Sequence, residues 1–254
     1  MVEQWGEVWQ VNFAPEKTQA MVISRSPDAS HAVSGKLRFG GKCLPLQDYI
    51  KILGVCVDRS LRFDRHIAGI ARQTSLRVSA LRRMADTLDP RGTLTLYKAQ
   101  IRPCMEYGAL SWMSSAAVHM QRLDAVQRRA LRLVTTEEEE QHPAPLTSLE
   151  HRRDVSALVV CHKTQVQRVS HLNPLRLQPH TAQRCTRDAA RSDELVQVPR
   201  SRSSQHQRTY TARTSRLWNI FVAGTPQVRS MTTQQVKVAA HKWRGRHPSR
   251  LVLQ

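Results

Sequence analysis

An α+β fold is what this sequence predicts: a short, incomplete β-sheet or hairpin region at the N-terminus, then a mainly α-helical bundle, then a basic, partly disordered C-terminal region. Three observations carry that reading. Turn-forming glycines separate short apolar runs before residue 64, the apolar period turns helical after Asp64, and residues 173–216 are rich in Arg, Ser, Gln and Pro but poor in large apolar groups. A chain of 254 residues suits one or two domains.

The elements follow in order. Trp5, Val8 and Trp9 have helical spacing, and the run Ala20-Met21-Val22-Ile23 reads as a strand closed by the turn-rich Ser24-Arg25-Ser26-Pro27-Asp28. Gly40-Gly41 between Lys36–Phe39 and Lys42–Leu44 signals a hairpin. Tyr49–Asp58 reads as one mostly buried strand, with Gly54 marking a bulge or a close backbone approach. Ile67, Ile70, Ala71, Thr74, Val78, Leu81 and Ala85 then form one helical face, with Arg72, Arg82 and Arg83 largely off it.

Asp89-Pro90 opens a second helix, carrying Leu94, Tyr97, Lys98 and Ile101, which should end or kink before Pro103. A third helix buries Leu123, Val126, Ala130 and Leu133 and leaves Arg122, Arg128, Arg129 and Arg132 mostly on its other sides. Glu137–Glu140 with Pro143 and Pro145 reads as an exposed linker. Thr147-x-x-Glu150 is a capping box for a helix whose apolar stripe is Val155, Leu158, Val159, His162 and Val166. Order is expected again at Leu217–Phe221 and Val236–Trp243. The resulting segments are 1–64, 65–134, 135–146, 147–172 and 173–254.

Charge is unevenly spread. The chain carries 39 Lys plus Arg against 20 Asp plus Glu, a net +19. Residues 1–50 are neutral, 51–134 carry +9, 135–150 carry −5 and 151–254 carry +15. Of the basic residues 31 are Arg and 8 Lys, and the planar guanidinium fork suits phosphate better than an ammonium does. A polyanion partner explains that preference; GC-biased codon usage is the alternative. Arginines flanking one apolar stripe are a solvated face, but repetition over successive helices points to a binding surface.

Several classes are excluded. The longest apolar run, Ala157–Cys161, has 5 residues against about 20 for a membrane span, so no membrane partner is expected. Cys43, Cys56, Cys104, Cys161 and Cys185 form no C-x-x-C pair, which argues against a zinc or dithiol site and for a reducing compartment, nucleus or cytoplasm. Cys161 and His162, on an apolar stripe, read as core residues. There is no P-loop, dinucleotide fingerprint, nucleophile elbow, H-E-x-x-H or Asp-Asp pair, so neither catalytic residues nor a metal site can be assigned, and no small-molecule substrate is implied for the chain alone.

A resemblance supplies what composition cannot. Trp9–Gln19 through Met21-Val22-Ile23 resembles the segment after the catalytic aspartates in reverse transcriptases of LINE-like, jockey-type non-LTR retrotransposons. Lys51–Asp58, with Leu61, Phe63, His66 and Ile67, is similar to that family's Leu-Gly-Val primer-grip strand and the start of its thumb. Leu96–Gly108 and Leu123–Arg132 are similar to its thumb and post-thumb helices, and Arg216-Leu217-Trp218-Asn219 to a motif near the end of such reading frames. The order and spacing of these motifs extend over most of the chain. The Glu137–Glu140 run departs from the pattern, as a small insertion or a mis-joined exon would.

The resemblance implies the palm end, thumb and post-thumb of an RNA-directed DNA polymerase, with the catalytic aspartates lying before Met1. It would place Lys17 near the incoming nucleotide and the backbone of Leu53, Gly54 and Val55 against the primer end. Arg72, Arg82, Arg83, Arg122, Arg128, Arg129 and Arg132 would follow the phosphates of an RNA or DNA template–primer. Mg²⁺ would belong to the complete polymerase, and no cofactor to this chain. Two other readings stay open: a stand-alone or domesticated nucleic-acid-binding protein, and a non-functional retroelement relic.

Overall fold

The computed structural model describes residues 2–134, 147–180 and 195–247, so the predicted linker at 135–146 and positions 181–194 of the Arg/Ser-rich stretch lie outside the described residues. The fold is α+β, and the chain divides into two units, residues 1–66 and 67–254.

In the first unit, helix α1 (Val2–Val8), a 3₁₀ turn at Pro15–Lys17 and α2 (Ala29–Val33) precede two separate antiparallel hairpins. Strands β1 (Arg38–Phe39) and β2 (Lys42–Cys43) flank Gly40 and Gly41, whose φ of 56° and 72° give the left-handed pair that a tight hairpin turn needs. The run Ala20–Ile23 forms no strand. Its one ladder contact is a parallel bridge from Ala20 to Leu46, with the Gln47 N–H donating to Ala20 O at 2.8 Å.

Tyr49–Asp58 departs from its expected form. It is a hairpin rather than one strand, with β3 (Tyr49–Ile52) pairing back onto β4 (Val55–Asp58) through Leu53-Gly54. Leu53 (φ 45°) and Gly54 (φ 87°) both take positive φ, the geometry of a type I′ turn. An unbroken apolar, β-branched run conceals such a turn, because leucine lacks the local polar contacts that mark Asn-Gly or Asp-Gly. Asp58 then organises the chain beyond β4: its carboxylate accepts from the N–H groups of Ser60, Arg62 and Phe63 at 3.0, 3.1 and 2.6 Å. Those bonds offset the strain of Leu61 and Phe63, at φ 53° and 60°.

Little of this unit's apolar surface is covered. Val55, Phe63 and His66 are buried, while Val2, Trp5, Val8, Trp9, Ile52 and Leu53 are each more than half exposed. Trp5 pairs with Trp9 and with Phe13 at 6.3 Å between ring centroids, and Phe13 meets Phe39 edge-on at 5.5 Å. Two separate two-stranded hairpins cannot bury so many large side chains.

The second unit is helical. Helix α3 (Asp64–Ala85), which begins in the first unit, buries Ile67, Thr74, Val78 and Leu81, the predicted face. Asp89 caps α4 (Pro90–Leu96) by accepting the Gly92 N–H at 2.8 Å. A π-helical turn (Tyr97–Ile101) then leads into α5 (Arg102–Glu106). Pro103 has no N–H and crowds the carbonyl of the preceding turn, so a widened turn in front of it lets the chain stay helical.

Helix α6 (Ala117–Leu131) follows, and then α7 (Leu149–Gln165). The N-cap of α7 is Ser148, one residue later than expected: its hydroxyl accepts the His151 N–H, while Glu150 is committed to Arg213. Beyond a 3₁₀ segment (Ser170–Leu175) come α8 (Ser204–Gln207), α9 (Tyr210–Ala223) and α10 (Thr233–Arg246). Helical order in α9 thus starts at Tyr210, inside the stretch expected to be extended or disordered, because Thr209 supplies an N-cap that accepts from Ala212. Val155, Leu158, Cys161, Leu217, Trp218, Phe221, Val236, Ala240 and Trp243 form a core between α7, α9 and α10. Burial pushes the Cys161 thiol far above its ordinary value, as befits a packing residue.

Candidate nucleic-acid interface

All seven arginines proposed for phosphate contact lie on two helices of the second unit and are exposed: Arg72, Arg82 and Arg83 on α3, Arg122, Arg128 and Arg129 on α6, and Arg132 just past its end. The helices are tied together by Arg129, whose Nη2 donates to Ser75 Oγ at 2.9 Å. On α3, Arg72 and Arg83 are 11 residues apart, close to three turns, and so share an outward face opposite Thr74, Val78 and Leu81. Arg128 and Arg132 stand in the same relation to the buried Leu123, Val126 and Ala130. Helical spacing places these charges on the outside, and the Arg129–Ser75 bond joins the two helices at one point.

The remaining proposed positions belong to the first unit. Lys17 ends the 3₁₀ turn, where its N–H donates to Ala14 O at 3.0 Å, and its side chain is exposed. Leu53 and Gly54 form the tip of the β3–β4 hairpin, with Leu53 86% exposed, whereas Val55 is buried at 8%. The first two positions of the tripeptide are therefore exposed and the third is not. Behind the tip, the guanidinium of Arg65 sits 3.7 Å from the Tyr49 ring centroid, a cation–π contact that stiffens the base of the hairpin. The Cys56 N–H donates to His66 Nδ1 at 3.2 Å, and burial and the nearby Lys51 lower the His66 pKa.

Two features escape sequence reasoning because their members are far apart in the chain. Asp154 on α7, fully buried, takes Arg213 of α9 bidentately at 2.9 and 3.1 Å and Arg244 of α10 at 2.9 Å. Glu150 adds a 2.8 Å contact to Arg213. Burial opposes the charge on Arg213, yet Asp154 and Glu150 together hold its pKa above the ordinary value. One carboxylate thus joins three helices. A second ion pair, Arg152 to Glu106 with an Nη2–Oε2 distance of 3.0 Å, links α7 to α5.

Beside this network, His151 Nε2 and His241 Nδ1 lie 3.0 Å apart with the rings nearly parallel at 24°. Such a bond needs one ring to be neutral and accept while the other donates. Burial lowers both pKa values; His241, Arg244 and Arg152 depress His151 further against Asp154, and Arg152 and Lys237 depress His241. The fully buried His162 is lowered by burial as well, against an opposing pull from the main chain of Val228 and Met231. Because these rings bind protons more weakly when folded, the unfolded chain takes up protons first as pH falls below about 6.5. Full stability is thus present above that value and is lost progressively below it. Thermal unfolding followed by circular dichroism should show a lower Tm at pH 5.5 than at 7.5, and His151→Gln should reduce the difference.

Among the described residues, no three of His, Cys, Asp and Glu converge as metal ligands, and no helix is long and apolar enough to cross a membrane.

No protein-family model matches the chain, and no solved structure does. Similarity to known proteins covers about half of it, 52% in each of the following cases, which are from Drosophila melanogaster. The RNA-directed DNA polymerase from mobile element jockey is 28% identical over 139 residues. The putative 115 kDa protein in type-1 retrotransposable element R1DM is 30% identical over 136 residues, and the probable RNA-directed DNA polymerase from transposon X-element is 30% identical over 138. The matched region spans 14%, 13% and 14% of these relatives.

Proposed function

We propose that this relative of the non-LTR retrotransposon RNA-directed DNA polymerases acts as the template–primer-holding part of such an enzyme and supplies none of its catalytic carboxylates. The observation that carries this reading is the pair of bonded helices, α3 and α6, that turn arginines outward. Guanidinium groups on rigid helices contact phosphates without reading bases, so binding is indifferent to sequence and weakened by salt. By the resemblance, the exposed Leu53-Gly54 tip would lie against the primer end and Lys17 near the incoming triphosphate, where a cation would stabilise the leaving group. Large exposed apolar side chains in the first unit, Trp5 and Trp9 among them, favour a role within a larger polymerase over a stand-alone binding protein.

In the complete enzyme, Mg²⁺ serves carboxylates outside this chain. Among the described residues no three of His, Cys, Asp and Glu converge, and on this reading the chain contributes Lys17 and its grip on template and primer to catalysis, not the metal-holding carboxylates. Two measurements test the proposal. With about six phosphates contacted, affinity for a labelled RNA–DNA hybrid should fall on the order of a thousandfold between 50 and 200 mM salt. Primer extension on a homopolymer template with Mg²⁺ or Mn²⁺ should show no incorporation by the chain alone. Salt-independent binding would contradict the phosphate role, and incorporation surviving careful purification would contradict the assignment of catalysis elsewhere.

A further inference from the structure

We infer that the α7–α9 region carries a second polyanion site, a groove for the phosphodiester backbone of a single strand, separate from the α3–α6 face. The inference rests on the reading of nucleic acid as this chain's partner.

Its frame is a pair of extended segments. Residues 176–180 and 195–199 run antiparallel through a bridge between Pro179 and Val196, where the His180 N–H donates to Leu195 O at 3.0 Å and the Gln197 N–H to Gln178 O at 2.8 Å. Each segment is pinned to a helix. Gln165 at the end of α7 donates to Leu177 O at 3.1 Å, and Asn219 of α9 both accepts from the Val196 N–H and donates to its carbonyl, each at 2.9 Å. Amide groups spent on backbone in this way make a rigid wall.

Two open cavities, of about 390 and 1310 Å³, share Leu195 and Val196 as that wall. Arg168, Arg176 and Arg229 line the first, and Arg200 and Arg216 the second; among the described residues no Asp or Glu lines either. Five arginines thus line two cavities that meet at one wall, and low-dielectric walls concentrate their field there. Arg168 also sits at φ 49°, past the end of α7, where glycine is the usual residue. A side chain kept there against that strain points to a use for its charge.

The lining also says what is recognised. Of the two aromatic rings in it, Trp218 is only 2% exposed and offers no face for a base to stack on, whereas His180 is exposed. With five arginines and no Asp or Glu among the described lining residues, backbone phosphate is the group chiefly recognised. Arg216-Leu217-Trp218-Asn219 now divides by role: Leu217 and Trp218 build the core, Asn219 fixes the wall and Arg216 faces the groove.

The test uses the full chain and fluorescence anisotropy of a labelled oligothymidylate of about twelve nucleotides, long enough to follow a groove. Arg168→Gly, Arg176→Ala and Arg200→Ala are combined in one variant, and Arg176→Glu is made alone to guard against misfolding. The triple variant should lose about two units from the log–log salt slope and bind at least about tenfold more weakly at 100 mM salt. Arg176→Glu should weaken binding in the same direction. Wild-type behaviour in both overturns the groove, whatever variants of the α3–α6 face do. Conversely, wild-type oligonucleotide and hybrid binding after charge reversal on α3 and α6, together with loss in the groove variants, would defeat the proposed face and leave the groove standing. Displacement by inorganic tripolyphosphate at equal phosphate concentration would show a generic phosphate site and overturn the single-strand assignment.

Discussion

Replacing Asp154 with alanine should destabilise the helical unit by about 3–5 kcal/mol, the usual result of removing one partner from a buried ion pair. Asp154 and Arg244 are almost wholly shielded from water, and Arg213 is largely so. Without the carboxylate, Arg244 is left charged in a dry site, and Arg213 keeps only Glu150. The change should appear as a drop in the urea midpoint of the full chain with an unaltered slope, since the surface exposed on unfolding is the same. A loss below about 1 kcal/mol would mean that the network is better hydrated than its geometry implies. Substituting Leu at 154, 213 and 244 together should recover much of the loss, because a well-packed apolar trio carries no desolvation penalty.

Reversing the charge of Arg82, Arg83, Arg128 and Arg129 together should abolish most salt-sensitive binding to an RNA–DNA hybrid. With about six phosphates contacted, the log–log salt slope is about −5; removing four contacts leaves about −2, and affinity at low salt falls on the order of a thousandfold. Arg82, Arg83 and Arg128 are exposed and should tolerate replacement with little change in stability. Arg129 also bonds Ser75, so a companion variant keeps Arg129 and reverses the other three. Its slope should fall in between, near −3, if each arginine neutralises one phosphate. A slope unchanged in both variants would show that these helix faces are merely solvated.

Two ion-linked arrangements thus do opposite things with arginine. On α3 and α6 the guanidinium groups stay in water, where a polyanion can displace counterions from them. At Asp154 two of them are withdrawn from solvent and hold α7, α9 and α10 together. Composition counts both kinds alike, and burial alone separates them.

What the sequence by itself determined is whatever depends on near neighbours in the chain. The inward faces of α3 and α6, the Asp89 cap and the Gly40-Gly41 turn are all set by residues within four positions of one another, so periodicity and cap chemistry reveal them. The outward placement of the seven arginines follows from the same periodicity, and motif order likewise pointed to the retrotransposon polymerases. Tertiary structure alone decided the rest. Leu53 takes positive φ because β3 folds back onto β4, a turn that an unbroken apolar run does not announce. Asp154 meets Arg213 and Arg244 across 59 and 90 residues, and His151 meets His241 across 90. Pairings that distant depend on how helices pack, and helix packing is decided by the summed fit of whole apolar faces rather than by any local pattern.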